Sequence, residues 1–228
     1  MSKLKSVELE FSKKYDAGHA HHYFQKHRDG LAPRLSNWRE QALARQALKL
    51  AGNPEMVLDL PCGAGRFWPT LAEQSSRVIL AADNSQHMID VACQTQAPEI
   101  VARVRTFQTS AFNIDLDEDA VDSIFCMRLL HHIADPAHRL AILREFHRVS
   151  RDSVIVSLWV DGNYKAWRRK RLEARRARRG QGENQNRFVV SPEVIENEFK
   201  QAGFSCLGYH DFLPGYAMWR VYTLRKQA

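Results

Sequence analysis

A chain of 228 residues with 44% apolar side chains can bury one substantial core, and this length favours a single embellished domain over two complete ones. No uninterrupted apolar run approaches the roughly 18 residues of a membrane span, and the first twenty residues alternate charged and apolar side chains where a signal peptide would be apolar, so the sequence predicts a cytoplasmic protein with no transmembrane segment. The formal net charge of +7 is local: residues 163–179 carry nine basic side chains against Glu173 alone, leaving 24 basic and 25 acidic ones elsewhere.

Residues 1–35 mix charges and show little periodicity. Trp38, Ala42, Leu43, Ala47 and Leu50 then recur at helical spacing until Gly52, Asn53 and Pro54 stop the run. Met56 to Leu60 is a short apolar strand, and Pro61 to Gly65 is a turn too rich in glycine to continue it. Further β-rich runs at Val78 to Ala82, Val104 to Phe107, Val121 to Met127 and Val154 to Val160 alternate with segments that fit helices, which predicts an α/β fold. Asp135 before Pro136, and Ser191 before Pro192, each place a capping side chain ahead of a proline in a first helical turn. Gly203 closes the second of these helices. Phe204 to His210 and Ala217 to Leu224, separated by Pro214 and Gly215, read as a terminal antiparallel pair.

This divides the chain into an N-terminal helical cover over residues 1–54 and a core over residues 55–228, with a basic helical insertion at about 161–187. Cys62, Cys93, Cys126 and Cys206 are too widely spaced for a zinc knuckle or a redox dithiol and read as reduced thiols. His19, His21 and His22 cluster without a cysteine or carboxylate at ligand spacing, so no metal is predicted.

Ligands of parallel sheets sit outside the carboxyl ends of the strands, which directs attention to Asp59, Leu60, Pro61, Cys62, Gly63, Ala64 and Gly65. Glycines here let backbone approach a ligand closely and permit positive φ. The next strand ends in Asp83, eighteen residues past Gly65, where a carboxylate can accept hydrogen bonds from both hydroxyls of a ribose. A dinucleotide loop would carry three glycines, whereas here proline and cysteine interrupt and bulky Phe67 and Trp68 follow. A nucleotide-dependent oxidoreductase is thereby disfavoured.

These residues resemble the class I S-adenosylmethionine-dependent methyltransferases, particularly the branch that includes ubiquinone and menaquinone biosynthesis enzymes. The resemblance runs from about Val57 to Val160, with a weaker match over Phe188 to Phe204. Val57 to Phe67 matches the first signature, with Pro61 where many members carry glycine. Leu80 to Ile89 resembles the second, with Asp83, Ser85 and Met88 in place. Thr109 to Phe112 is similar to the adenine-contacting turn, with Ser110 where aspartate often stands, and Ala120 to Ile133 is the most detailed match. The resemblance implies a Rossmann-like seven-stranded, mostly parallel sheet with helices on both faces and an antiparallel last strand. It also implies S-adenosylmethionine across the carboxyl ends of the first, second and fourth strands, held by Asp59, Pro61, Cys62, Gly63, Gly65, Asp83, Asn84, Met88, Ser110, Ala111, Met127 and Arg128.

Methyl transfer from a sulfonium is an in-line displacement that depends mainly on positioning in a dry pocket. His131 and His132, just beyond the fourth strand, are the candidate general bases, the alternative being that they pack against the helix that begins at Asp135. Tyr15, Tyr23 and Trp38 are read as a cover over the cleft or as core. Tyr23, with Arg175, Arg176 and Arg179, is expected to contact the acceptor. The basic run, in which Arg168, Arg171, Arg175 and Arg179 share a helical face, points to an anionic acceptor or to peripheral contact with an acidic membrane surface. A phosphorylated small molecule or a glycolipid ranks above RNA, because no aromatic residue follows Trp167 in the run to stack on bases. A solvated helix without a partner, and a non-catalytic scaffold or sensor that binds S-adenosylmethionine, are the competing readings.

Overall fold

The computed structural model describes residues 31–178 and 187–227. Tyr15, Tyr23, Arg179 and the histidines at 19, 21 and 22 lie outside them. Its elements are α1 (Leu31–Leu50), β1 (Met56–Asp59), α2 (Trp68–Leu71), β2 (Val78–Asp83), α3 (Gln86–Thr95), α4 (Pro98–Val101), β3 (Val104–Gln108), β4 (Val121–Cys126), α5 (Pro136–Val149), β5 (Ser150–Trp159), α6 (Tyr164–Arg178), α7 (Pro192–Gln201), β6 (Phe204–Asp211) and β7 (Trp219–Lys226).

The strands form one seven-stranded sheet in the order β3-β2-β1-β4-β5-β7-β6. Strands β1 to β5 pair in parallel, while β7 runs antiparallel to both β5 and β6. The expected Rossmann-like architecture with an antiparallel last strand is therefore present. The chain leaves β1 toward β2 and β3, then returns on the other side of β1 as β4. That reversal opens a crevice at the carboxyl ends of β1 and β4, the switch point where open α/β sheets bind ligands.

Strand alternation sorts the core into two layers. Leu58, Ile124, Val154 and Val156 turn to one face, where Ile142, Leu143 and Phe146 of α5 and Ile195 and Phe199 of α7 cover them. Val57, Phe125 and Ile155 turn to the other face, under Leu43, Ala44, Ala47 and Leu48 of α1. Burial on both faces is why the central strands read as continuous apolar runs. The two capping signals are realised, with Asp135 accepting from Ala137 N and Ser191 from Val194 N. A bidentate pair, Arg139 to Glu198 at 2.6 and 2.8 Å, ties α5 to α7 inside the core.

Two expectations shift. Strand β5 begins at Ser150, directly after α5, because sheet pairing with β4 and β7 outweighs the polar Arg151 and Asp152 that masked its start. In α1 the buried stripe is Leu43, Ala44, Ala47 and Leu48, continued by Ala51 just past its end, whereas Trp38 is 65% and Leu50 38% exposed. Alanines let the helix approach the sheet closely, and the exposed Trp38 is not part of the core. Among the described residues no helix is long and apolar enough to cross a membrane.

Candidate functional site

The turn after β1 is fastened to its neighbours through backbone. Leu60 N donates to Phe125 O of β4 at 3.0 Å, and Cys62 N donates to Ala82 O of β2 at 2.8 Å. This brings Gly63, at φ +52, against the end of β2. Its N–H donates to Asp83 Oδ2 at 3.0 Å, and Ser85 N donates to Asp83 Oδ1 at 2.9 Å. The predicted loop and the predicted acid thus meet directly.

Asp83 is buried. Desolvation raises its pKa, and the N–H groups of Ser85, Gly63 and Asn84 pull it back down. An ionised carboxylate offers about four lone-pair sites, more than these three N–H groups occupy. Asp83 lines a cleft with Pro61, Cys62, Gly63, Asn84, Met88, Ser110, Ala111, Met127 and Arg128, ten of the twelve positions expected to hold a cofactor. Phe112, Leu129 and Ile142 add apolar wall, and Ser110 Oγ fixes the third turn by accepting from Phe112 N at 3.2 Å. Cys62 is not poised as a nucleophile, since burial and then the carboxylates of Asp59 and Asp83 push its thiol pKa up.

The other two expected positions stand away from the cleft wall. Asp59 is sealed beneath the loop with neither carboxylate oxygen completing a hydrogen bond. Burial, then the Asp83 charge, raise its pKa well above the carboxylate range, opposed by the neighbouring Trp68 indole. Gly65 makes room for protein, because a Cβ there would lie 2.8 Å from the Trp68 ring.

The two histidines separate as well. His132 lines the cleft. His131 is buried, stacked on Trp159 at 5.2 Å and edge-on to Trp219 at 4.7 Å. Burial, then the charges of His132, Arg187 and Arg128, lower its pKa to about 2. A neutral ring so weakly basic and so enclosed cannot serve as the expected general base; its role is packing. Arg175 and Arg176 are exposed on α6 and do not reach the cleft.

Sequence reasoning missed an ionic clamp at the cleft mouth. Glu40 of α1, 5% exposed, lies 2.6 Å from Arg128 Nη2 and 3.0 Å from Arg66 Nη1. Both arginines line the cleft. Arg128 takes a left-handed φ of +67, its N–H donates to Ser157 Oγ at 2.9 Å, and its guanidinium lies 5.1 Å from the Trp219 ring. The pairs span 26 and 88 residues of chain, and no local pattern announces contacts of that range.

Residues 57–153 match the family model of a methyltransferase domain. The chain is 28% identical over 133 residues to a tRNA U34 carboxymethyltransferase of Shewanella piezotolerans, a stretch covering 56% of this chain and 38% of that protein. It is 23% identical over 142 residues to the tRNA (carboxymethyluridine(34)-5-O)-methyltransferase ALKBH8 of Macaca fascicularis, covering 61% of this chain and 20% of that protein. The chain therefore spans well under half the length of these curated relatives. In fold it superposes on the magnesium protoporphyrin IX methyltransferase of Synechocystis PCC 6803, crystallised with bound SAH, at a TM-score of 0.76 and 16% identity, covering 96% of this chain and 100% of that one.

Proposed function

We infer that this chain, a member of the class I S-adenosylmethionine-dependent methyltransferases, binds that cofactor in the cleft at the β1–β4 switch point and transfers its methyl group to an anionic acceptor at the same edge of the sheet. The observation that carries the reading is the convergence of Gly63 and Asp83, with free carboxylate lone pairs beside an apolar wall. Such a site fits a ribose that bears a flat heterocycle. Asp83 would accept from the ribose hydroxyls, Ser110, Ala111 and Phe112 would border the adenine, and Pro61 to Gly63 would face the amino-acid end. When bound, the cofactor supplies a methyl group already activated on a sulfonium.

The chain's own residues have modest chemical work to do. Met88, Met127 and Leu129 exclude water from the cleft, which strengthens the interactions within it. His132 is the side chain placed to take a proton from an acceptor hydroxyl or acidic carbon, now that His131 is withdrawn into packing. Of the N-terminal cover read over residues 1–54, the described part is α1, which supports that role by delivering Glu40 to the cleft mouth.

Among anionic acceptors, the names of the two curated relatives favour RNA over a phosphorylated small molecule or a glycolipid. Isothermal titration with S-adenosylhomocysteine, S-adenosylmethionine and NAD tests the cofactor reading. The expected result is binding of the first two without NAD; binding of NAD alone overturns it.

A further inference from the structure

We propose that α6 and the β6–β7 turn together form a platform for single-stranded RNA, on which bases stack against Tyr164, Trp167 and Tyr216 while the cations of α6 follow the phosphates. The proposal deepens, and rests on, the reading of RNA as the acceptor.

The linear sequence offers Trp167 as the last aromatic residue of the basic run. The fold adds a residue from more than 40 positions downstream. Asn163 caps α6, its Oδ1 accepting from Ala166 N at 3.0 Å and its Nδ2 donating to Val160 O at 2.7 Å. The next N–H groups of the helix, which have no partner within it, are taken by the turn: Tyr164 N donates to Gly215 O and Lys165 N to Tyr216 O, each at 3.0 Å. This fastening lays Tyr216 flat on Tyr164, with ring centroids 5.6 Å apart and planes 12° apart. Trp167 continues the row at 5.9 Å from Tyr164.

All three rings stand about half in solvent, at 48%, 52% and 46% exposure for Tyr164, Trp167 and Tyr216. A core aromatic row would not be so open, and a surface one of this extent needs a reason. Cations accompany the rings. Lys165 lies 5.2 Å from the Tyr216 centroid and Arg171 4.8 Å from that of Trp167. Along α6, eight basic side chains face the single acid Glu173, and Arg168, Arg171, Arg175 and Arg176 are exposed. Aromatic faces interleaved with guanidinium planes are the features that hold unpaired bases and their phosphates.

Position supports the same partner. The β6–β7 turn and the start of α6 both sit at the carboxyl edge of the sheet, as the cleft does. An aromatic layer joins them: Arg169 of α6 lies over Trp159, Trp159 meets His131 and Trp219, and Arg128 of the cleft lies over Trp219. A strand bound along α6 is therefore led toward the place where the methyl group would be delivered. An acidic bilayer is the competing partner for exposed rings beside cations; the exposed large aliphatic side chains that would deepen insertion are Leu172 and Leu213 among the described residues of α6 and the turn, and the test below separates the two.

The test is fluorescence anisotropy of a short fluorescein-labelled oligouridylate titrated with the full chain at several salt concentrations. Trp167→Ala and, separately, Tyr216→Ala should each weaken binding roughly 5- to 100-fold. Replacing Arg168, Arg171, Arg175 and Arg176 together by Gln should flatten the salt dependence by about three in slope. Titration of each variant with S-adenosylhomocysteine confirms that it is folded, and Trp167→Leu, which keeps apolar bulk, stands in for any variant that is not. Wild-type protein that binds the cofactor analogue but no oligonucleotide, or whose binding ignores every aromatic substitution, overturns the platform. Sedimentation with vesicles of phosphatidylcholine and phosphatidylglycerol in the absence of oligonucleotide binding overturns it in favour of a membrane. Oligonucleotide binding that depends on the rings, without any cofactor binding, would instead sink the methyltransferase reading and leave the platform standing.

Discussion

The turn after β1 and the start of α6 occupy the same edge of the sheet and solve opposite problems. At the first, the polar groups on the cleft wall are buried and held by backbone: Asp83 takes N–H groups from Gly63 and Ser85, and Cys62 is tied to Ala82. At the second, cations and rings are left in solvent, and the principal local order is a helix cap and a turn fastened beneath it. The contrast teaches that one region is preorganised, with little further ordering cost for a ligand, while a partner of the other would gain its interactions on binding and be open to salt.

The largest expected effect falls on the preorganised side. Asp83→Ala should weaken binding of S-adenosylhomocysteine by about 1.5–3 kcal/mol, the scale of hydrogen bonds to a charged group, with little dependence on salt. Calorimetry at two ionic strengths checks both points. Because desolvation raises the Asp83 pKa, wild-type affinity should begin to fall at a higher pH on acidification than an ordinary carboxylate would give. Protonation removes the acceptor that the ribose hydroxyls need.

Next comes the clamp at the cleft mouth. Glu40→Gln removes the carboxylate set between Arg66 and Arg128 and should lower the unfolding free energy by about 1–2 kcal/mol in urea titrations. Added salt should recover part of that loss. Asp59→Asn should act in the opposite direction, raising stability at neutral pH by about 1 kcal/mol. The folded pKa of Asp59 stands above its unfolded value, so its contribution favours the fold most below the unfolded pKa and is lost as pH rises toward the folded one. Thermal melts from pH 4 upward should accordingly show a shallower decline in the variant. The smallest effect sharpens the comparison from the other side: the fourfold arginine-to-glutamine change on α6 should leave affinity for S-adenosylhomocysteine within about twofold, as expected for distant sites.

What could be read from the sequence was whatever is decided locally. Asp135 with Pro136 and Ser191 with Pro192 mark helix starts because a cap and its helix are adjacent in the chain. The meeting of Gly63 and Asp83 was legible because a strand, a helix and a second strand fix that spacing. What the sequence hid has a different cause. The packing of Trp68 against Gly65 is not visible in the glycine spacing, and the candidate base His131 is enclosed by two tryptophans from β5 and β7. Glu40 and Tyr216 were overlooked because their partners lie far along the chain and come together through strand order alone. The ranking of RNA rested on the run after Trp167 alone, where Tyr216, which the turn brings to α6, cannot be seen.

The enclosed layer between cleft and platform also gives the molecule an optical property. Of its five tryptophans, Trp219 lies beneath Arg128 and Trp159 beneath Arg169 and Arg187, so two indoles emit from within the electric field of charges that border the two regions. Occupation of either side that moves these guanidinium groups will change the colour and yield of native fluorescence, and the protein can be followed through a binding cycle without any attached dye.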